Sequence, residues 1–434
     1  MQTGKNRREF LKLSAVAAAG AAAGSLTLAR SAHAAGSDVL RIGLIGCGGR
    51  GGGAAADALG ADANTRLVAM ADAFGDRLQS TLGGLKRRFN DRVAVDAQHC
   101  FAGFDAYQKL IDCGVDVVLL ATSPHFRPIH LKACVDAGKH VFCEKPVAVD
   151  GPGVLSVLAT CEEAAAKKLN VVSGLCWRYD YGVRETMKRV LDGAIGRLVA
   201  IRETYNTGTL WQHPRQPDWT EMEYQMRNWY YFTWLSGDHN CEQHVHSLDK
   251  AAWALHDEPP VQAWGLGGRQ VRTQAIYGDI FDHHAVCYEY ANGVQVYSYC
   301  RQMAGCSGDT SDIFLGSQGR ADILANKIYD AKGKVVWHYQ GPKPSMYDVE
   351  HQELFAAIRS GKVINNGVYM ARSTMLAVLG RMATHSGQTV TWEQEIRSGI
   401  KLAPERYAMD ATPPIVPDKE GKYPVSVPGV TKVV

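Results

Sequence analysis

The stretch VLRIGLIGCGGRGGGAAADAL, residues 39–59, constrains the fold more than any other part of this chain. A β-rich apolar run over 39–46 ends in glycine and passes at once into an Ala-rich helical pattern, so the unit reads strand, turn, helix. Within the turn, Gly46, Cys47, Gly48, Gly49, Arg50 and Gly51 match G-x-G-x-x-G. Chemistry needs glycine there because the backbone must approach a pyrophosphate closely, and the anion then sits on the N–H groups at the start of the helix. Asp72 closes the next apolar run, RLVAMAD, where a carboxylate accepts hydrogen bonds from ribose hydroxyls and repels a 2′-phosphate. The expected cofactor is NAD, and Arg77 nearby leaves NADP open.

The pattern repeats down the first half. Helical periodicity to about Phe89 and over FDAYQKLID is followed by a buried strand at 115–123 and a helix at 130–138. A strand at 140–146, a helix at 150–168 and the run VVSGLCWRY at 171–179 follow. Strands alternating with helices imply a parallel sheet covered on both faces, here a doubly wound Rossmann domain over 38–171. From 172 to 405 the texture changes to one helix at 183–192 and then alternating runs such as LVAIRETYN, VQAWGLGG and HAVCYEYANGVQVYSYCRQ. Asn292-Gly293 marks a hairpin, and helical patterns return at 346–360 and 369–386. The expected class is therefore α/β, a Rossmann sheet joined to an α+β domain with an open, mostly antiparallel sheet. Residues 406–434 are Pro-rich and read as an arm.

Residues 1–34 read as an export leader. Arg7-Arg8-Glu9-Phe10-Leu11-Lys12 resembles a twin-arginine signal, the uncharged run Leu13–Ala29 is short for a membrane span, and Ala32-His33-Ala34 has the small-x-small form of a cleavage site. Such a signal implies export of the folded protein to the periplasm. The leader holds five basic residues and one acidic residue out of the chain's 47 and 44, so the remainder carries a net charge of −1. That balance gives no basic field for nucleic acid, and no later run is long enough to span a membrane. The eleven cysteines are scattered with no C-x-x-C pair and are expected to be small buried hydrophobes.

The stretch ATSPHFRPIHLKACVDAGKHVFCEKPVAVD, continued in GLCWRY and DGAIGRLVAI, resembles the glucose-fructose oxidoreductase / inositol dehydrogenase / MocA family. The resemblance implies a sugar or glycoside substrate oxidised at a ring hydroxyl, plausibly C3, with tightly held, recycled NAD(P), and a homo-oligomer, dimer or tetramer. It implies cofactor contacts from Thr122, Ser123, Pro124, His125, Glu144 and Lys145. Lys145 of Glu144-Lys145-Pro146 is its expected base, because removing hydride from a carbinol requires that the hydroxyl proton leave as well. The family's Asp-x-x-x-His maps onto Glu242 and His246, with Glu in place of Asp, and its following structural Asp onto Asp249. Arg178, Tyr179, His244, Tyr277 and His283 are the expected substrate contacts. The aromatic run from Trp211 to Trp234 is a softer candidate, balanced against core packing. His239, His244, His246 and Asp282-His283-His284 have spacings that chelate metal, yet the family's redox chemistry is metal-free, so no metal is expected. Two competing readings are an NAD-dependent glycosidase working by transient oxidation and elimination, with Glu242, His244 or Tyr179 as acid or base, and a non-catalytic sugar sensor.

Overall fold

A computed structural model describes residues 38–433; the leader expected at 1–34 lies outside them. The first half runs β1 (Leu40–Ile45), α1 (Gly49–Ala61), β2 (Thr65–Asp72), α2 (Gly75–Phe89), β3 (Cys100–Ala102), α3 (Ala106–Asp112), β4 (Val117–Leu120), α4 (Arg127–Asp136), β5 (His140–Cys143), α5 (Gly151–Ala166) and β6 (Val171–Ser173). The six strands form one sheet in the order β3-β2-β1-β4-β5-β6. All of its pairings are parallel, with Ile42 opposite Val117 and Val117 opposite His140 fixing the centre. Helices cover both faces, which is why Val117, Val118, Leu119 and Leu120 form an unbroken apolar run with no exposed member. Each such side chain contributes about 1.5–3 kcal/mol of burial. Strand β3 escaped the sequence reading because it is only three residues long, with Cys100 and Phe101 half-buried and Ala102 exposed.

The second half runs α6 (Tyr181–Leu191), β7 (Leu198–Thr207), α7 (Glu221–Arg227), α8 (Thr233–Ser236), α9 (His239–Glu242), α10 (Val245–Ala254), β8 (Gln262–Gly268), β9 (His283–Glu289), β10 (Gln295–Gln302), β11 (Asp309–Gly316), β12 (Gly319–Asp322), β13 (Lys327–Asp330), β14 (Val335–His338), α11 (Met346–Ser360), α12 (Gly367–Ser386), β15 (Val390–Thr391) and α13 (Trp392–Arg397). Nine strands form the second sheet, ordered β14-β13-β12-β11-β7-β10-β9-β8-β15. Only the β7–β10 pair is parallel. Asn292-Gly293 does turn β9 into β10, with Gly293 at φ 83°. Helix α12 is buried along nearly its whole length and packs on α5, α10 and β8, so a single apolar core runs from Ile45 through Val157 to Val390.

The segment after α13 has no regular structure, and it is pinned to the rest of the chain by named contacts. The N–H of Leu402 donates to Asp150 at 2.7 Å, Tyr407 Oη meets His125 at 2.8 Å, Gln225 donates to the Ile415 carbonyl at 2.7 Å and Ser426 meets His385 at 2.9 Å. All eleven cysteines are free, and eight are buried. Among the described residues no helix is long and apolar enough to cross a membrane.

Candidate active site

The glycine turn sits where β1 ends and α1 begins. Gly46 has φ 96°, open to glycine at no steric cost, and a Cβ on Gly51 would lie 1.8 Å from the Gly46 carbonyl oxygen. A Cβ on Gly48 or Gly49 would meet nothing within 4 Å. Two glycines thus hold the turn tight and two leave open space above it, at a helix start that carries no acidic residue. This is the shape a pyrophosphate requires. Asp72, at the end of β2, accepts the Cys47 N–H at 2.6 Å and the Phe74 N–H at 2.9 Å, which locks the turn to the neighbouring strand. Burial raises the Asp72 carboxyl above its ordinary value, while Arg77 and the two N–H groups pull the other way.

A cavity of about 540 Å³ opens from this turn. Gly46, Gly48, Gly49, Arg50, Gly51, Asp72, Thr122 and Ser123 line one side, and Trp211, His213, Met226, Trp229, Tyr230 and Glu242 the other. The far wall comes from the segment between β7 and α8, which reaches back over the nucleotide end. Its Arg227 pairs with Asp76 at 3.0 Å and stacks 4.0 Å from the centre of the Phe74 ring. Arg77, noted from sequence beside Asp72, also lines the cavity, as does His130 of the stretch that carries the family resemblance. Phe74, Phe104 and Tyr107 line it too and were not expected, because they belong to no motif. The aromatic run was legible, but its direction was not.

Lys145 stands past the carboxyl end of β5, where ligands bind in open parallel sheets. Its Nζ lies 2.7 Å from the Glu242 carbonyl oxygen and 3.0 Å from Glu242 Oε1, and both side chains are mostly shielded from solvent. Glu242 ends α9 and lines the cavity, so it meets Lys145, while His246 belongs to the next helix rather than sharing one helix face with Glu242 as the spacing suggested. His246 lies in the first turn of α10 with its Nδ1 buried and unpartnered. Burial, with Lys145 and Lys250 nearby, pushes this ring well below its ordinary pKa and keeps it neutral.

Other expected residues are placed differently. The Arg50 guanidinium binds Glu144, Glu350 at 3.2 Å and Asp57 at 3.3 Å. Burial alone would lower its pKa, but the carboxylates more than offset that, and the side chain fastens the glycine turn to β5 and α11. Glu144 is buried in this pair, and Cys47 is wholly buried. Pro124 and His125 lie beneath the cavity wall; His125 is held by Tyr407 and pushed down to about 4 by burial. None of the five expected substrate residues lines the cavity. Arg178 is bound to Asp249 and Asp257 at 2.9 and 2.6 Å and stacks on Tyr369 at 3.9 Å. Tyr179 donates to Asn366 at 2.8 Å, and His244 meets Ser298 at 2.6 Å inside the core. Tyr277 packs on Tyr231, and His283 sits beside Asp282 at 2.7 Å. Asp282 accepts three consecutive backbone N–H groups, from Gln270, Val271 and Arg272.

A parallel sheet with a glycine turn after its first strand and a carboxylate at the end of its second defines a dinucleotide-binding domain. Residues 40–172 match the GFO_IDH_MocA model, described as the oxidoreductase family with NAD-binding Rossmann fold, and this part of the chain is an NAD-binding Rossmann domain. Inositol 2-dehydrogenase 3 of Saccharopolyspora erythraea is 27% identical over 371 residues, covering 83% of this chain and 98% of its own. Inositol 2-dehydrogenase 1 of the same organism is 32% identical over 163 residues, covering 37% of this chain and 44% of its own. A levoglucosan dehydrogenase solved with NADH and levoglucosan has the same fold, with a TM-score of 0.64 at 17% identity, over 82% of this chain and 100% of that one.

Proposed function

We propose that this protein is an NAD-dependent oxidoreductase acting on a ring hydroxyl, that at C3, of a sugar or glycoside, with the cofactor held between turnovers. The observation that carries the reading is the Lys145–Glu242 pair beside a cavity that begins at the glycine turn. The aromatic wall of Trp211, Trp229 and Tyr230 offers flat apolar faces next to His213, which suits the CH patches and hydroxyl rims of a sugar ring. Support also comes from the relatives, whose names are those of inositol and levoglucosan dehydrogenases.

NAD, when bound, supplies the hydride acceptor. The remaining work falls to side chains. An ammonium has three N–H donors, and Lys145 directs two at Glu242, leaving one for the substrate oxygen. In this pair the lone pairs belong to Glu242, so Glu242 accepts the hydroxyl proton while Lys145 steadies the oxygen as charge builds on it. The neutral His246 ring orients the hydroxyl. This assigns proton acceptance to Glu242 rather than to the lysine. The clasp of Arg227 on Asp76 and Phe74 over the nucleotide end supports retention of the cofactor, which a protein exported folded to the periplasm by a twin-arginine leader requires.

The test is to incubate the purified protein with a panel of polyols, sugars and aryl glycosides while following the reduced-nicotinamide band and aglycone release. Reduction of protein-borne NAD without aglycone is expected, with Lys145→Ala and Glu242→Gln each lowering the rate by about 100-fold or more. Aglycone release with the cofactor returning to its oxidised form, or full activity in Lys145→Ala, would overturn the reading.

A further inference from the structure

A second cluster of chemistry-bearing side chains lies outside the cavity, under the second sheet. Asp238, His284 and His385 come from the turn before α9, from β9 and from the end of α12, and their ligand atoms lie within 4.8 Å of one another. All three are buried, with Asp238 wholly so. Asp238 Oδ1 is 3.4 Å from His284 Nε2, and Oδ2 is 2.9 Å from His385 Nε2.

The proton positions around His284 argue that this is more than a hydrogen-bonded network. Thr384 Oγ1 lies 3.1 and 3.0 Å from the carbonyl oxygens of Gly380 and Arg381 in its own helix, so its hydrogen is directed there. Its lone pair then accepts from His284 Nδ1 at 2.8 Å. That tautomer leaves His284 Nε2 bare, facing a carboxylate oxygen in a dry core, and Nε2 has no hydrogen-bond partner. Two lone pairs facing each other repel unless a proton or a metal ion lies between them, and at 3.4 Å from Asp238 Oδ1 the nitrogen makes no hydrogen bond of the kind a proton would give. His385 has its Nδ1 2.9 Å from Ser426 Oγ and its Nε2 hydrogen-bonded to Asp238 Oδ2 at 2.9 Å, so a metal taking this nitrogen displaces that proton. A ring whose second nitrogen is held by a neighbouring oxygen is the usual form of a metal-bound histidine.

We propose that Asp238, His284 and His385 bind a divalent first-row transition metal, zinc in the first instance. One oxygen of Asp238 and the two Nε2 atoms supply three donors, all within 4.8 Å of one another, which suits zinc bonds of about 2.0–2.2 Å and leaves the fourth position to a small ligand such as water. The ion joins three elements that are distant in sequence and fixes the turn that starts α9, the helix bearing Glu242. Its role is structural, and it stands whether or not the oxidoreductase reading holds.

The test is metal analysis of the purified full chain from zinc-replete cells, with iron, manganese and cobalt measured in parallel. About one equivalent of zinc per chain is expected, lost in Asp238→Asn and in His385→Gln and retained in His283→Gln, whose ring lies beside His284 in sequence and outside the cluster. Where a variant does not fold, the wild type answers: a strong zinc chelator present during the thermal scan should lower the melting temperature by about 5 °C or more, and added Zn²⁺ should restore it. Wild-type protein without stoichiometric metal whose melting temperature is indifferent to chelator and Zn²⁺, or metal retained in both Asp238→Asn and His385→Gln, would overturn the proposal.

Discussion

Gly48 and Gly51 stand three residues apart in one turn, and they answer differently to the same added methyl group. At Gly51 the Cβ meets the Gly46 carbonyl oxygen at 1.8 Å, so Gly51→Ala must push the start of α1 away from β1. Overpacking of this kind costs about 1–3 kcal/mol. Gly51→Ala is expected to lower both the melting temperature and NAD affinity, the latter by about 10-fold or more. At Gly48 there is free space and an ordinary φ of −73°, so Gly48→Ala should melt like the wild type and still bind NAD weakly, because its methyl stands where the pyrophosphate belongs. Thermal melting and cofactor titration of the two variants separate the roles. Equal losses of stability would show that the turn is not held as described.

Among the elements, the segment joining β7 to α8 contributes most to the cavity and was the least legible. Its aromatic residues stand out in the sequence, yet nothing in their spacing says that Arg227 reaches Asp76 and Phe74 in the other half of the chain. By contrast, the parallel strands and their helices read clearly, because continuous apolar runs and 3.6-residue periodicity are local signals. Lys145 and Glu242 were each legible through a motif, but their contact with one another was not, because the reading set Lys145 beside His246. Arg178 and Tyr179 misled for a physical reason: they follow β6 on the ligand side, but Asp249, Asp257 and Asn366 are near enough to hold both side chains in the core. Arg227→Ala removes ion pairs to Asp76 and Glu223 and stacking on Phe74 and Trp219, each worth about 0.5–1 kcal/mol. Cofactor dissociation, followed by nicotinamide fluorescence, should speed up about 5- to 10-fold, with the melting temperature lower by a few degrees. An unchanged dissociation rate would remove the segment's retaining role.

For the whole molecule, buried neutral histidines set the acid limit. His125 is pushed down to about 4, and His130 and His351 to about 3, each chiefly by burial. Unfolded, these rings take up protons near pH 6.5. Below that value the unfolded chain binds more protons than the folded one, so stability falls as pH drops from about 6.5 towards 4. Each ring accounts for roughly 1–2 kcal/mol between pH 6.5 and 5. His351, between Phe142 and Phe355 with neither nitrogen partnered, isolates the effect. His351→Leu should raise the melting temperature at pH 7 and flatten its decline towards pH 5; an equally steep decline would place the acid sensitivity elsewhere. The pinned segment after α13 carries a consequence in time. Leu402 reaches Asp150, Tyr407 reaches His125 and Ser426 reaches His385, so residues made late in synthesis finish walls begun by residues made early. Tyr407 packs 6.0 Å from the Phe104 ring and 5.7 Å from the Phe126 ring, both of which line the cavity, so the nucleotide wall gains its backing only when the last part of the chain has been made.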